Sequence, residues 1–299
     1  MSPRLHTLRL HLCRFHHHPG LESVHFLRPT GMRHVLLSCG SARWEIDLSV
    51  LYNIVGKFHR ISLLEIYYRH PEAPYFSDVP IHIPEQALKI EHLSIRHVNE
   101  FIVDIVSRLE PIVDLTSIKS LSIPLSSLTP FVSSFIKRLP NLTSISYLTN
   151  ELYMPGDLTK LRLQRITVWS NYFIWSTNSH ELPQPSRQLS QWDELLRDLE
   201  VLVCTNPTVL ELRLKLREYG SCHVPADDVF GQLMDFLLKQ DWERLGLIIQ
   251  SYTSLKTLSL CVSSLKTPYQ RLLPALEALA VERLPKSVVS LLEITGRAL

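Results

Sequence analysis

Apolar residues recur along the chain in a fixed order. One apolar residue is followed by two variable positions, a second apolar residue, one variable position and a third apolar residue. Clear copies begin at Leu5, Ile90, Ile118, Leu158, Val209 and Leu255, and looser copies begin at Leu21, Met32, Ile61, Leu142 and Leu276. The alternation that closes each copy is typical of a short strand. The copies from Met32 to Leu142 start 24 to 29 residues apart, and a strand that returns at this period predicts a stacked repeat protein.

Helical spacing fills several of the gaps between strand copies. Apolar residues lie three or four apart in residues 128–139, 192–202 and 229–238. The first two of these segments end at Pro140-Asn141 and Asn206-Pro207, and a strand copy follows each of them. Strands that alternate with helices predict an α/β solenoid, with short parallel strands on its concave side and helices on its convex side.

We predict a single solenoid domain over residues 1–299, because each repeat of a solenoid buries its apolar face against its neighbours and needs no separate core. Two segments interrupt the pattern. Residues 70–84 carry four prolines, and residues 176–190 carry two prolines and four serines. Such compositions predict irregular insertions rather than domain boundaries.

The junction sequences resemble the leucine-rich repeat family, whose unit reads L-x-x-L-x-L-x-x-N/C-x-L. Leu139-Pro-Asn-Leu-Thr-Ser-Ile and Ser254-Leu-Lys-Thr-Leu-Ser-Leu are similar to the repeats of its irregular intracellular members. More narrowly, the chain resembles the C-terminal repeat region of fungal F-box proteins with leucine-rich repeats. This resemblance implies a protein-binding function, with substrate recognition for an SCF-type ubiquitin ligase as the role.

Two features depart from that family. The ninth position of the unit should be Asn or Cys, and only Cys13 and Asn150 fit, which predicts irregular turns. In addition, no F-box is visible, because the chain begins almost inside a repeat at Leu5. We therefore expect the module that docks a Skp-type adaptor to be missing, and that adaptor is a partner only if an F-box lies upstream.

Composition narrows the class of partner. A hydrophobic content of 45% and a charged content of 20% are ordinary for a folded protein. The net charge of +2 argues against nucleic acid and against an anionic membrane. The least charged apolar stretch, residues 120–136, contains too many serines and prolines for a membrane span. Five scattered cysteines without a C-x-x-C spacing predict reduced thiols, and hence a cytoplasmic or nuclear protein.

The candidate binding residues are the variable positions around the last two apolar residues of each copy, which point away from the core of a strand repeat. Stacked strands align such side chains into a stripe on the concave face. The predicted partner-binding residues are Arg9, His11, Arg96, Lys160, Arg162, Gln164, Arg213 and Lys215. With Ser94 they form a mildly basic stripe, which Glu65, Glu211 and Glu282 dilute. Such a stripe suits an acidic or phosphorylated protein client, and a solvated face without a partner is the alternative.

The sequence also contains residue types that could bind a metal ion or catalyse a reaction. His16, His17 and His18, with His11 and Cys13 nearby, are metal-ligand types, but consecutive side chains diverge on a strand, so a polar turn is the better interpretation and no metal site is predicted. No nucleophile motif or phosphate-binding loop appears, so we predict neither an enzyme nor a cofactor.

Trp169, Tyr172, Phe173 and Trp175 form an aromatic cluster that is either an exposed anchor for a partner or, the preferred interpretation, core packing. The predicted function is a non-enzymatic protein-binding module. The alternatives are a scaffold or regulator unrelated to ubiquitin, and a metal-binding or enzymatic protein.

Overall fold

The computed structural model describes part of the chain, and that part divides into two compact units, Met1–Leu142 and Thr143–Leu299. The described residues are 7–12, 33–39, 55, 58–68, 83–96, 102–124, 130–148, 158, 161–175, 185–219, 226–264 and 269–298.

Unit 1 contains a parallel sheet. Its strands are β1 (Thr7–Leu12), β2 (His34–Cys39), β3 (Arg60–Tyr68), β4 (Leu88–Arg96), β5 (Val113–Asp114) and β6 (Ser120–Pro124). The strands pair in the order β1-β2-β3-β4-β6, and the two-residue β5 pairs with the start of β4. Two helices follow the later strands, α1 (Ile102–Leu109) and α2 (Pro130–Lys137). Every one of these pairings is parallel, as the repeat pattern predicts.

The apolar residues of the strand copies form continuous buried rows in unit 1. Their second members lie side by side in register as Val35, Leu64, Leu93 and Leu121. All four have 2% or less of their surface exposed, so each strand inserts the same motif position into one shared core. An ion pair links the ends of the two helices: the Arg138 guanidinium, after α2, donates to both carboxylate oxygens of Glu110, after α1.

Unit 2 is likewise built on parallel strands. Its strands pair in sequence order as β7 (Ser144–Leu148), β8 (Arg165–Trp175), β9 (Val209–Tyr219), β10 (Thr257–Ser264) and β11 (Leu292–Ala298). Its helices are α3 (Pro185–Leu202), α4 (Ala226–Leu238), α5 (Trp242–Gln250), α6 (Tyr269–Arg283) and α7 (Lys286–Val289). Helix α3 packs on β8, and α6 packs on β10 and β11.

A comparable buried row runs through unit 2, although on β9 it uses Leu210, which is not one of the apolar positions of the predicted copy at Val209. Ile145, Ile166, Leu210, Leu258 and Leu292 lie side by side in register across the five strands. The first four are fully or almost fully buried, and Leu292 on the last strand is half-buried. Exposure therefore increases at the final strand, where no further described repeat covers the row.

Asparagine side chains join the turns that precede neighbouring strands within each unit. The Asn206 amide donates hydrogen bonds to Thr253 and Ser254 in the turn before β10, and its oxygen accepts one from the backbone N–H of Ser254. Asn206 has a φ of 45°, in the left-handed region that asparagine tolerates. In unit 1, Asn141 likewise donates to the backbone oxygen of Thr116. These asparagines stand where each helix stops, and they link one repeat to the next.

Two predicted strand copies are wrong. Leu158 precedes a turn rather than a strand, because the Leu161 backbone N–H bonds back to its carbonyl, and the motif that β8 uses is Leu163, Ile166 and Val168. The copy at Leu276 lies inside α6. Leu272, Leu276 and Leu279 are buried there at helical spacing, whereas Val281, which a strand would bury, is 65% exposed.

The structure describes only part of the two insertions predicted over 70–84 and 176–190. Helix α3 begins at Pro185, so the end of the insertion predicted over 176–190 is helical, and proline is favoured at a first helical position because its φ is already fixed. Residues 176–184 and most of the 70–84 segment lie outside the described residues. Five of the described elements lacked a prediction, namely α1, α5, α7, β5 and β11.

Candidate functional site

In each unit the parallel strands have a face opposite their buried rows, and the residues on it are the variable motif positions. Side chains alternate along a strand, so the residue between two buried apolar ones points to the open side of the sheet. The register places Glu65, Ser94 and Ser122 in one such row of unit 1. In unit 2 the equivalent row is Ser146, Thr167, Glu211, Ser259 and Glu293.

The unit 1 face cluster consists of His34, Glu65, Ser94 and Arg96, contributed by β2, β3 and β4. The Arg96 Nε lies 2.8 Å from the Glu65 carboxylate and 3.3 Å from the Ser94 hydroxyl. On the other side, His34 Nε2 lies 3.6 Å from the same carboxylate. Glu65 is largely covered and Arg96 is 54% exposed, so the accessible part of the cluster is the guanidinium.

A basic patch lies nearer the amino ends of the same strands and consists of Arg60, Lys89, Glu91 and Lys119. Arg60 donates to the Glu91 carboxylate at 2.8 Å, and the Lys119 ammonium lies 3.8 Å from the same oxygen. The hydrogen bond from Arg60 lowers the pKa of Glu91. Lys89 is exposed beside Arg60 in the register. Arg60 and Lys119 therefore both contact the Glu91 carboxylate, and Asp114 lies beside Lys89 in the register. With Asp114 counted, the patch holds three cations and two carboxylates, so positive charge is in excess.

The unit 2 face cluster consists of Ser146, Thr167, Trp169, Glu211 and Arg213, contributed by β7, β8 and β9. The Trp169 indole N–H donates to the Ser146 hydroxyl at 2.7 Å. The Arg213 guanidinium lies 4.5 Å from the centre of the Trp169 ring, in cation–π geometry. Arg213 also donates to Glu211 at 2.6 Å, and Thr167 donates to the other oxygen of that carboxylate at 3.1 Å.

Each member of the unit 2 face cluster is thus held by a named neighbour. Glu211 and Arg213 are 12% and 22% exposed, and Trp169 is half-buried. The cluster is therefore an ordered aromatic and cationic surface. This pre-organisation reduces the entropy that binding must overcome.

The predicted stripe is only partly assembled. Arg9 and His11 lie on β1, but their side chains are outside the described set, as is all of Lys160. Arg162 and Gln164 are exposed in the turn before β8 rather than on a strand. The backbone carbonyl of Gln164 accepts the N–H groups of the next turn, which makes it a structural position.

The remaining predicted cations do lie on strands. Arg96 and Arg213 have carboxylate partners on the same face, and Lys215 is half-buried on β9. Glu65 and Glu211 lie on the sheet faces as predicted, whereas Glu282 belongs to α6. The stripe is therefore less basic than the sequence alone suggests. The basic patch was missed because Arg60, Lys89 and Lys119 precede the apolar positions on which the prediction was centred.

The aromatic cluster lies along β8. Trp169 is on the open face, so for this residue the preferred interpretation of core packing is wrong, since the buried row of β8 uses Ile166 and Val168 instead. The side chains of Tyr172, Phe173 and Trp175 are outside the described set.

Within the described part of the chain, no three His, Cys, Asp or Glu residues come together as a metal site. Cys13 and His16 to His18 lie outside it, so the prediction about them stays a prediction. Among the described helices, none combines the length and the apolar character that crossing a membrane requires.

Comparison with protein-family models, curated proteins and solved structures finds no match for this chain. The likeness to leucine-rich repeats therefore rests on the strand motifs and the stacking described above.

Proposed function

We propose that this chain is an irregular leucine-rich-repeat solenoid that acts as a non-enzymatic protein-binding module. In this proposal the strands of both units belong to one solenoid over residues 1–299, and a client protein lies on their open faces. The buried rows provide a rigid support, because each strand is fixed by the neighbours on both sides.

One observation carries the proposal, and it is the unit 2 face cluster. Five side chains from three strands are held by hydrogen bonds, an ion pair and a cation–π contact, although the half-buried Trp169 ring is available to a partner. Tryptophan and arginine are enriched at the energetic centres of protein interfaces.

The basic patch of unit 1 supports an acidic or phosphorylated client. Its cations exceed its carboxylates, and Arg60 and Lys119 are 71% and 62% exposed. A guanidinium and ammonium groups in proximity suit a carboxylate or phosphate ligand.

The test compares proteins that co-purify with tagged full-length wild type and with three variants. Arg60→Glu with Lys119→Glu reverses the basic patch, and Trp169→Ala removes the aromatic anchor. Lys256→Glu with Lys286→Glu is the matched control, since it makes the same change in net charge at exposed positions elsewhere. We expect a common set of clients to be lost from the first two variants and retained by the control. Equal recovery with all four proteins, each checked to be folded, would refute the proposal.

The resemblance to F-box proteins extends the proposal to substrate recognition for an SCF-type ubiquitin ligase. The same purification decides this point. Recovery of a Skp-type adaptor and a cullin with the native full-length product supports the ligase role. Clients recovered without either of them indicate a scaffold or regulator that is unrelated to ubiquitin.

A further inference from the structure

The unit 1 face cluster places three ionisable groups in a chain across neighbouring strands. In the register, Glu65 of β3 lies beside Leu36 of β2 and Ser94 of β4. His34 stands two residues before Leu36, and Arg96 stands two residues after Ser94, so the two side chains approach Glu65 diagonally from opposite ends. The carboxylate therefore lies between an imidazole and a guanidinium.

The two contacts of the Glu65 carboxylate differ in length. The Arg96 Nε is 2.8 Å from Oε1, which is a charge-assisted hydrogen bond. The His34 Nε2 is 3.6 Å from Oε2, which is too long for a hydrogen bond. This ring nitrogen is covered, and it has no hydrogen-bond partner among the described residues. A covered polar atom without a partner needs an explanation, and a role in proton uptake provides one.

A proton on His34 would change the charge of the whole cluster. Histidine is the side chain that gains its positive charge between about pH 8 and pH 5. With a neutral imidazole, the cluster holds one carboxylate and one guanidinium, and its net charge is zero. With a protonated imidazole, two cations share the carboxylate of Glu65 and repel each other. The attraction that holds Arg96 to Glu65 is then weaker.

Arg96 is the member of the cluster that can respond. Its side chain is 54% exposed, whereas the side chains of His34 and Glu65 are 27% and 15% exposed. The Ser94 hydroxyl, 3.3 Å from the Arg96 Nε, still positions the base of the guanidinium when the carboxylate is shared. The guanidinium then faces solvent with less of its charge neutralised, and it suits a carboxylate or phosphate of a ligand.

Other titratable groups face His34 from its neighbouring strands. Leu63 stands beside it on β3, and His92 stands beside Leu63 on β4. The remaining groups are Arg33 just before β2, Tyr67 on β3 and, on β1, Arg9 and His11, whose side chains are outside the described set. Within the described part of this face, Glu65 is the one carboxylate within 4 Å of His34.

We infer that His34, Glu65 and Arg96 form a proton-sensitive switch on the open face of unit 1. Proton uptake by His34 pairs it with Glu65 and releases Arg96 to an anionic group, so this face holds an acidic ligand more tightly as the pH falls. The inference adds regulation to the proposed function and rests on it for the existence of a client. The exchange of partners within the cluster needs no client, so it is tested separately.

The first experiment follows the Arg96 Nε–Hε resonance of the isotope-labelled full chain by nuclear magnetic resonance between about pH 8 and pH 5.5, above the range in which carboxylates ordinarily titrate. Arg96→Lys assigns the signal. We expect the Arg96 signal to shift with the same midpoint as the His34 ring signals. The shift should be lost in His34→Gln and in Glu65→Gln, two variants that break the chain at different members.

The matched control is His59→Gln, which removes an exposed histidine outside the cluster and should leave the Arg96 shift as in wild type. Thermal unfolding checks that every variant is folded. An Arg96 signal that does not move with pH in wild type would overturn the inference, as would the same movement in His34→Gln.

The second experiment adds a blocked tetraglutamate peptide and reads its affinity from the Arg96 signal at both ends of the pH range. We expect binding about threefold tighter at the acid end in wild type and in His59→Gln, and less than about 1.5-fold tighter in His34→Gln. Equal ratios in wild type and His34→Gln would overturn the inference, as would a peptide that leaves the Arg96 signal unchanged. Loss of the cellular clients with an intact pH response would instead refute the proposed function alone.

Discussion

Two glycines in neighbouring helices provide a test of the packing in unit 2. Gly246 is buried in α5, and Gly231 is exposed in α4. A Cβ atom on Gly246 would lie 2.4 Å from Pro285 Cδ and 3.1 Å from Pro285 Cγ. A Cβ atom on Gly231 would meet no atom within 4 Å. The two sites therefore share a helical backbone and differ in the space around it.

Alanine substitution separates the effect of space from the effect of helix propensity. Replacing glycine by alanine within a helix stabilises it by about 1 kcal/mol, which Gly231→Ala should show in full. Gly246→Ala gains the same amount but forces a methyl group against a proline ring, which is bonded to its own backbone and cannot rotate away. Overpacking of this kind costs about 1–3 kcal/mol. The difference in unfolding free energy between the two variants therefore isolates the clash. We expect Gly246→Ala to be less stable than Gly231→Ala by about 1–3 kcal/mol.

The assay is urea unfolding of both variants and wild type, followed by far-ultraviolet circular dichroism. The slope of free energy against urea should be unchanged, so that shifts in midpoint report stability. If both alanine variants are stabilised to the same extent, α5 does not approach Pro285 as described, and the reasoning is refuted.

Three further predictions concern the interior of unit 2. Tyr252→Phe removes a buried hydrogen bond of 2.6 Å to a backbone oxygen of α3 and should cost about 1–2 kcal/mol. Tyr147→Phe removes a buried hydroxyl that has no hydrogen-bond partner within the described part of the chain, so it should leave stability unchanged or raise it; the reverse order in chemical unfolding would contradict this. Burial raises the pKa of Asp198 from its ordinary value of 3.8 to about 7, so the folded state holds the proton more tightly and stability should fall as pH rises through that range. Asp198→Asn should therefore be more stable than wild type at pH 8, and its advantage should shrink at pH 5; an advantage independent of pH would exclude this cause. Leu212→Ala should cost about 2–5 kcal/mol in unfolding experiments, because its side chain is 1% exposed within the stacked apolar rows, and a cost below about 1 kcal/mol would count against those rows.

The stacked strands could be predicted because their motif is local and repeated. The copies at Ile61, Ile90 and Ile118 each became a strand of one parallel sheet, with the first residue buried in every case. The copy at Leu276 failed because its spacing also satisfies a helix. Only the buried face that Leu276 forms with Leu272 and Leu279 distinguishes the helix from a strand, and that face depends on neighbouring elements.

The candidate site was harder to predict because pairing across strands depends on register. Arg213 and Glu211 are two residues apart and could be expected to share a face. The stacking of Arg213 on Trp169 joins residues 44 positions apart, and it required the strand on which Trp169 lies to be recognised. The predicted copy at Leu158 placed that strand too early. Trp169 was assigned to the core because alternation around it is incomplete and buried aromatic residues are common. The sequence could identify the cations and the face carboxylates Glu65 and Glu211, but not which cation each carboxylate pairs with.

The central claim, that the open sheet faces hold a client, is tested most directly by site-specific photo-crosslinking in cells. A benzoylphenylalanine at Ser122 or Ser259 would stand on an open face, and the same group at Ser134 or Arg197 would stand on an exposed helical position of the same unit. The account predicts that one set of client proteins is crosslinked from the two sheet positions and not from the two helix positions. Crosslinking of those clients from the helix positions alone would contradict it.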